Sequence, residues 1–286
     1  MSKEEKAAAK EENALVNQNN ALAEVPETID FSADAGGGME EVDKDTFAIP
    51  FVGILQSNSP KCETVEGAKA GKFINSITDE LFDELYVIPC AYTRRYIRWA
   101  PRATGGGFKG EYMPIDIEAG KVEGCKEYDG TYMFDVPEGA TRYDKDQKPL
   151  FDVARDTRNH YVLGKSSDGS WFTAILSLSS SMVKRSKRWM SRIYGIEMKD
   201  AKGKAFNPPS YSHIYKLTPV REEKGGDKWW SLEASLVGPV TDKHVYDKAK
   251  EFNLQVTAGL IKAVPMQDEV TSSKKASNDD DSDLPF

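Results

Sequence analysis

A β-rich α+β domain with one internal and one C-terminal helix is the fold class this 286-residue sequence predicts. Three observations carry it. Between residues 46 and 265, short runs of β-branched and aromatic residues alternate with turn chemistry. Only two segments in that span change to a helical period. Nearly all Trp, Tyr and Phe lie there, whereas 1–45 and 266–286 are rich in acidic and small residues, bury too little apolar surface to repay ordering, and read as disordered acidic tails.

The elements follow in order. FAIPFVGILQSNSP is a short apolar strand closed by a Ser-Asn-Ser-Pro turn, and GKFINSIT is a second strand. ELYVIPCAYTRRYIRWAPR is a long third strand in which Pro89 marks an edge position or a bulge, with Glu127 to Val136 as its pairing partner. NHYVLGKSSDGSWFTAILSLS is a hairpin turned by Ser-Ser-Asp-Gly. SMVKRSKRWMSRIYG is a helix with Ser181 as N-cap and Gly195 at its end. YSHIYKLTPV and KWWSLEASLVG return to strands around Gly-Gly-Asp, and a final helix places Val245, Ala249, Phe252, Val256 and Leu260 on one face. The sum fits an elaborated, partly closed barrel of the oligonucleotide-binding type, with a β-sandwich as the alternative.

The composition excludes several classes. No apolar run approaches the ~18 residues that span a bilayer, and MSKEEKAAAK lacks the apolar centre of a secretory signal. A soluble, cytoplasmic protein is expected, with no membrane partner. Cys62, Cys90 and Cys125, like His160, His213 and His244, are scattered without metal-ligand spacing and read as structural residues. No metal, cofactor or catalytic constellation is expected, although abundant carboxylates leave a metal-dependent nuclease as a distant option.

Net charge is −8, but it is segregated. Residues 86–115 hold Arg94, Arg95, Arg98, Arg102 and Lys109 against Glu111 alone, and 182–204 hold eight cations against Glu197 and Asp200. A polyanion feels such local fields rather than the total.

Strand alternation puts Tyr92, Arg94, Tyr96 and Arg98 on one face, and Val87, Ala91, Thr93, Arg95, Ile97 and Trp99 on the other. Rings interleaved with guanidinium groups suit single-stranded nucleic acid, whose bases stack and whose phosphates pair. The plainer reading is a half-buried strand whose arginines meet the chain's own carboxylates. In the internal helix, Met182, Val183, Trp189, Met190, Ile193 and Tyr194 form an apolar arc. Lys184, Arg185, Arg188 and Arg192 lie opposite it, with Lys187 astray. Such a cationic face needs a polyanion or an acidic segment against it. RATGGGFKG has neither phosphate-loop nor dinucleotide spacing and reads as a hairpin tip carrying Phe108 and Lys109. On the last strand Trp230, Leu232, Ala234 and Leu236 point inward, leaving Trp229 outward as a stacking candidate. With it, Tyr92, Tyr96, Trp99, Phe108 and Trp189 are the expected stacking surfaces, and Arg94, Arg95, Arg98, Arg102, Lys184, Arg185, Lys187, Arg188 and Arg192 the expected phosphate contacts.

The sequence closes with NDDDSDLPF. An acidic run followed by exposed apolar residues makes sense as a hook: Leu284 and Phe286 enter a pocket while aspartates steer toward basic partners. Asp279, Asp280, Asp281, Asp283, Leu284, Pro285 and Phe286 resemble the tips of bacterial and phage single-stranded DNA-binding proteins. The long acidic N-terminal segment and the missing Gly/Pro/Gln-rich linker depart from the bacterial pattern and point to a diverged, phage-encoded member. The resemblance implies a non-enzymatic protein that coats single-stranded DNA during replication, recombination and repair and recruits partner proteins through its tip. The alternative is an assembly protein whose basic patches bind protein. Homo-oligomerisation stays open.

Overall fold

The computed structural model describes residues 48–263 together with Gly37. Apart from Gly37, the acidic segments 1–45 and 266–286, and the tip residues Asp279 to Phe286 with them, lie outside the described residues.

Thirteen strands are described. The largest sheet is antiparallel and is built on two long central strands, β4 (Leu85–Trp99) and β8 (Val153–Lys165). On one side of β4 lie β12 (His213–Lys224) and β13 (Asp227–Pro239). On the far side of β8, the N-terminal end pairs with β7 (Thr131–Phe134), itself paired with β6 (Cys125–Tyr128), and the remainder pairs with β9 (Trp171–Ser179). A short β5 (Phe108–Tyr112) folds back on the end of β4. A separate three-stranded sheet comprises β1 (Val52–Ile54), β2 (Phe73–Asn75) and β3 (Leu81–Phe82). The pair β10 (Met198–Lys199) and β11 (Ala205–Phe206) stands alone. Four α-helices accompany them: α1 (Lys61–Thr64), α2 (Pro114–Glu118), α3 (Val183–Tyr194) and α4 (Lys243–Thr257).

The β-rich antiparallel character is as expected; a closed barrel is not found among the described strands. The ladder stays open because side chains, rather than a strand, take the outer edge of β13. Gln56 bonds both the N–H and the C=O of Trp230, and Arg192 donates to the Ala234 carbonyl. The small sheet spans the opening, since the Ile175 N–H on β9 reaches the Pro50 carbonyl beside β1. Its Val52, Phe73 and Phe82 join Val87, Val162, Leu176, Leu217, Leu232 and Trp189 in the central core.

The opposite face of the main sheet is covered by α4. Asp242 caps this helix by accepting from the N–H groups of His244 and Val245. Val245, Ala249, Phe252 and Val256 are buried against Ile88, Cys90, Tyr161, Leu163 and Ile175. Leu260, expected on the same face, lies beyond the helix end and is half-exposed. Tyr96, Ile117, Phe134 and Ala154 form a third core around α2 and β7.

Pro89 marks a bulge, not an edge, for β4 is central and its register with β8 slips between Pro89 and Ala91. The extra residue changes the facing of the strand. Val87 belongs to the central core under α3, and Tyr92 joins that side by meeting His160 edge-on at 5.1 Å. Val87 therefore shares a side with Tyr92, contrary to the simple alternation that grouped it with Ala91. The 127–136 segment pairs with β8, not with β4. The two hairpins form as expected. Gly225 and Gly226 turn the second with φ of 61° and 93°, the positive values a two-residue loop demands.

Candidate nucleic-acid interface

Tyr92, Arg94, Tyr96 and Arg98 do share a face, but each is engaged by the chain itself. Arg94 grips Asp156 through two hydrogen bonds of 3.0 and 3.1 Å and reaches Glu118 at 2.6 Å. Arg98 bonds Asp152 at 2.6 Å and lies 4.0 Å above the Phe134 ring. Tyr96 is buried and donates its hydroxyl hydrogen to Glu118, whereas Tyr92 accepts from Arg158. Burial pushes the Asp156 carboxyl up, but the hydrogen bonds from Arg94 and Arg158 outweigh it and hold the group below the usual carboxylate range. The sequence places rings and guanidiniums in a row; the partners Asp152, Asp156 and Arg158 come from 54 to 66 positions away, and Glu118 lies 22 positions beyond Tyr96.

The helix α3 repeats the pattern. Lys184 and Arg185 each reach Glu222 at 2.6 Å, Arg188 and Arg192 reach Glu233 at 3.3 and 2.8 Å, and Arg185 also bonds Glu233. These two glutamates of the β12–β13 hairpin are the acidic segment that the cationic face requires. Four cations still share two carboxylates, and Lys187 forms no ion pair among the described residues.

Trp189 is corrected from a stacking surface to a core residue. It is 1% exposed, stacks on His160 at 4.5 Å and meets Tyr215 edge-on, so no base can lie against it in this conformation. Between the two rings, His160 bonds the buried Ser186 hydroxyl at 2.8 Å, and burial followed by the nearby Arg158 charge lowers its pKa to about 3. Helix phase explains the rest of the seam: Met182, Ser186, Trp189 and Ile193 face the sheet, while Tyr194, assigned to the apolar arc, is 81% exposed. The N-cap position falls on Met182 rather than Ser181, after a 3-10 turn at Ser180–Met182; Gly195 ends the helix as expected.

Other candidates stay on the surface. Trp99 is half-buried and meets Phe108 edge-on at 6.2 Å across the β4–β5 hairpin. Gly105, Gly106 and Gly107 all hold positive φ at its tip, and Lys109 is exposed. Arg95 turns back to the Arg94 carbonyl at 2.8 Å, with Glu111 at 4.0 Å. Arg102 lies in a 3-10 turn whose position is fixed, but its side chain is not described. Trp229 is half-buried opposite Glu222. Leu236, assigned inward, is 52% exposed because β13 runs past the end of α3.

Beside Trp99 the structure opens a groove that the sequence does not announce. Two cavities of about 530 and 550 Å³ share Pro149, Val153 and Arg155 in their walls. One is bounded by Trp99, Ala103 and Gly106, and the other by Tyr96, Tyr132 and Tyr143. They meet where β8 passes from β7 to β9, since Ala154 pairs with Tyr132 and Thr157 with Ser179. The turn forming the outer wall is built by Asp144, whose carboxylate accepts from the N–H groups of Asp146 and Lys148. Lys148 itself is exposed at the rim, with its ammonium 3.4 Å from the exposed Asp146 carboxylate. The two carboxylates of the groove are thus committed, Asp144 to its own turn and Asp156 to Arg94 and Arg158. Tyr132, Tyr143, Lys148 and Arg155 escape sequence reasoning because no local pattern unites them.

Among the described residues, no group of three or more His, Cys, Asp and Glu side chains is placed to hold a metal ion, and no helix is long and apolar enough to cross a membrane. Cys90 is fully buried, and burial pushes its thiol up to about 12; Cys62 and Cys125 are half-buried free thiols.

Residues 16–262 match the family described as Pam3 phage gp34-like protein. The chain belongs to that family. The match spans most of the sequence, including all but the last residue of the described fold, and agrees with the expected phage origin. No curated protein and no solved structure matches the chain.

Proposed function

We propose that this phage-family chain binds single-stranded DNA without regard to sequence, and that the strand lies in the groove between the β4–β5 hairpin and the Asp144 turn. The groove is the observation that carries this reading. It combines ring edges and faces (Trp99, Tyr132, Tyr143) with cations (Arg155, Lys148) and offers no free carboxylate. Bases stack on any ring irrespective of identity, and phosphates follow the cations, which is how sequence-tolerant sites work. The glycine-rich tip with Phe108 and Lys109 forms one lip. The acidic segment with Leu284, Pro285 and Phe286 then serves to recruit partner proteins. No chemical step is assigned to the site.

The test is anisotropy of a labelled strand of about 30 nucleotides with the full chain over a salt series. Trp99→Ala should weaken binding by about 1–3 kcal/mol, and Lys148→Glu should flatten the salt dependence by about one unit of slope. Absence of binding at low salt, or binding indifferent to salt and to both substitutions, would sink the reading.

The matching of the basic strand and helix to Asp156, Glu222 and Glu233 favours a second reading, an assembly protein whose charges are satisfied internally. It predicts stable oligomers whose mass is unaffected by DNA.

A further inference from the structure

The groove does not close at its β9 end. Its wall there includes Ser180 and Val183, the residues through which the chain passes from β9 into α3. Ser180 holds a φ of 53°, which makes this turn abrupt and sets the first turn of α3 at the end of the groove. Whatever leaves the groove on that side meets the outer surface of the helix.

That surface is not the one that sequence phase picks out as cationic. The arc of Lys184, Arg185, Arg188 and Arg192 is met by Glu222 and Glu233. The outward stripe is centred on Lys187 instead. Val183, Lys187, Ser191 and Tyr194 follow one another at intervals of four, four and three residues, so they stand in line along the helix. Val183 lies at the groove, and Lys187, one turn on, is exposed and forms no ion pair among the described residues. Tyr194 closes the line with a ring that stands in solvent. A ring held so far from any core adds nothing to packing and is available for stacking.

The field along this stripe is positive. Helix α3 carries five cations and no carboxylate. Lys184 and Arg188, which flank Lys187, have side chains 62% and 60% exposed, whereas those of Glu222 and Glu233 are 11% and 24% exposed. The cations face solvent, and the carboxylates that order them are largely covered. The cationic run ends at Glu197, just past the helix.

We infer that α3 is a second stretch of the nucleic-acid path. A single strand leaving the groove at Ser180 and Val183 continues along the helix, with phosphates on Lys184, Lys187 and Arg188 and a base on Tyr194. The inference rests on the reading of the groove as a single-stranded DNA site. Its support is continuity with the groove and charge that matches a polyanion, joined to an accessible ring, the combination that sequence-tolerant sites use. From Val183 to Tyr194 the helix rises about 17 Å, room for up to about five nucleotides at the 3.4 Å spacing of a stacked strand. A short strand occupies the groove alone, whereas a longer one engages both stretches.

The test compares labelled oligothymidylates of about 6 and about 20 nucleotides, by anisotropy with the full chain over a salt series. Lys187→Gln and Tyr194→Ala alter exposed side chains only. Each should leave the short strand unaffected and weaken the long one. Tyr194→Ala should lower the affinity about fivefold or more, and Lys187→Gln should reduce the salt slope by about one unit. Trp99→Ala, in the groove, should weaken both lengths. If both α3 variants bind the long strand as the unaltered chain does while Trp99→Ala weakens it, the helix is no part of the path and this inference alone falls. Equal losses on the two lengths would overturn the division into two stretches. If neither strand binds, or Trp99→Ala changes neither, the groove reading fails and the continuation fails with it.

Discussion

Trp189 separates a structural helix from a DNA-binding one, and its replacement by alanine gives a result that differs in kind between the two. The indole is buried between His160 and Tyr215 and belongs to a core shared with β4, β8, β9, β12 and β13. Removing a large buried aromatic leaves a cavity that a sheet on one side and a helix on the other cannot fill. The cost for such a substitution is about 3–5 kcal/mol, and a site bounded by two rigid elements belongs in the upper part of that range. For a domain of this size, about 4 kcal/mol lowers the melting temperature by roughly 10 °C. Trp189→Phe should cost less, about 1–2 kcal/mol, because it keeps most of the volume and removes an indole N–H that has no partner among the described residues. Urea unfolding followed by far-ultraviolet circular dichroism measures both. If Trp189→Ala costs under about 1 kcal/mol and instead lowers DNA affinity by the 1–3 kcal/mol of a stacked base, the packing argument is wrong.

Two further perturbations test the polar interior. His160 is buried in its neutral form with its pKa lowered to about 3, so the unfolded chain binds the proton that the folded chain refuses. Stability should therefore fall as pH drops below about 6.5, by about 2 kcal/mol between pH 7 and pH 5. His213, also lowered by burial, adds in the same direction, whereas the depressed carboxyls of Asp156, Glu222 and Glu233 act only at more acidic pH. Urea midpoints for the unaltered chain and His160→Gln should converge as pH is lowered; parallel curves would exclude the histidine as the source. Asp156→Asn removes the charge that Arg94 and Arg158 share, and should cost about 2 kcal/mol in the same assay. A neutral result would show that Glu118 alone suffices for Arg94.

Where structure depends on neighbours in sequence, the sequence was legible. Ser-Ser-Asp-Gly and Gly-Gly mark their hairpins, and Val245, Ala249, Phe252 and Val256 mark the buried face of α4. Leu260 breaks that series because Gly259, at a φ of 72°, has already turned the chain away. What depends on distant partners was not legible. Arg94 and Asp156 lie 62 positions apart, and nothing local indicates that Glu222 and Glu233 sit beneath the cations of α3. The amphipathic phase of α3 places Trp189 on the apolar side, but it cannot say whether that side meets a core or a ligand. The groove draws its walls from residues near 96–106, 130–132, 143–156 and 180–183, so only the folded chain assembles it.

The bulge in β4 has a consequence for how this fold tolerates change. One strand serves two interiors: before the bulge its residues alternate between the central core and α4, and after it the alternation restarts one residue out of phase. The carbonyl of the extra residue, Cys90, is held from outside by Asn253 of α4 and by Ser210. Shortening the strand by that one residue would act like a frameshift in three dimensions. Everything from Ala91 to Trp99 would exchange sides, placing Arg94 and Arg98 on the face where Ile97 is now buried and Ile97 among the carboxylates, so the length of this segment is constrained more tightly than the identity of its individual residues.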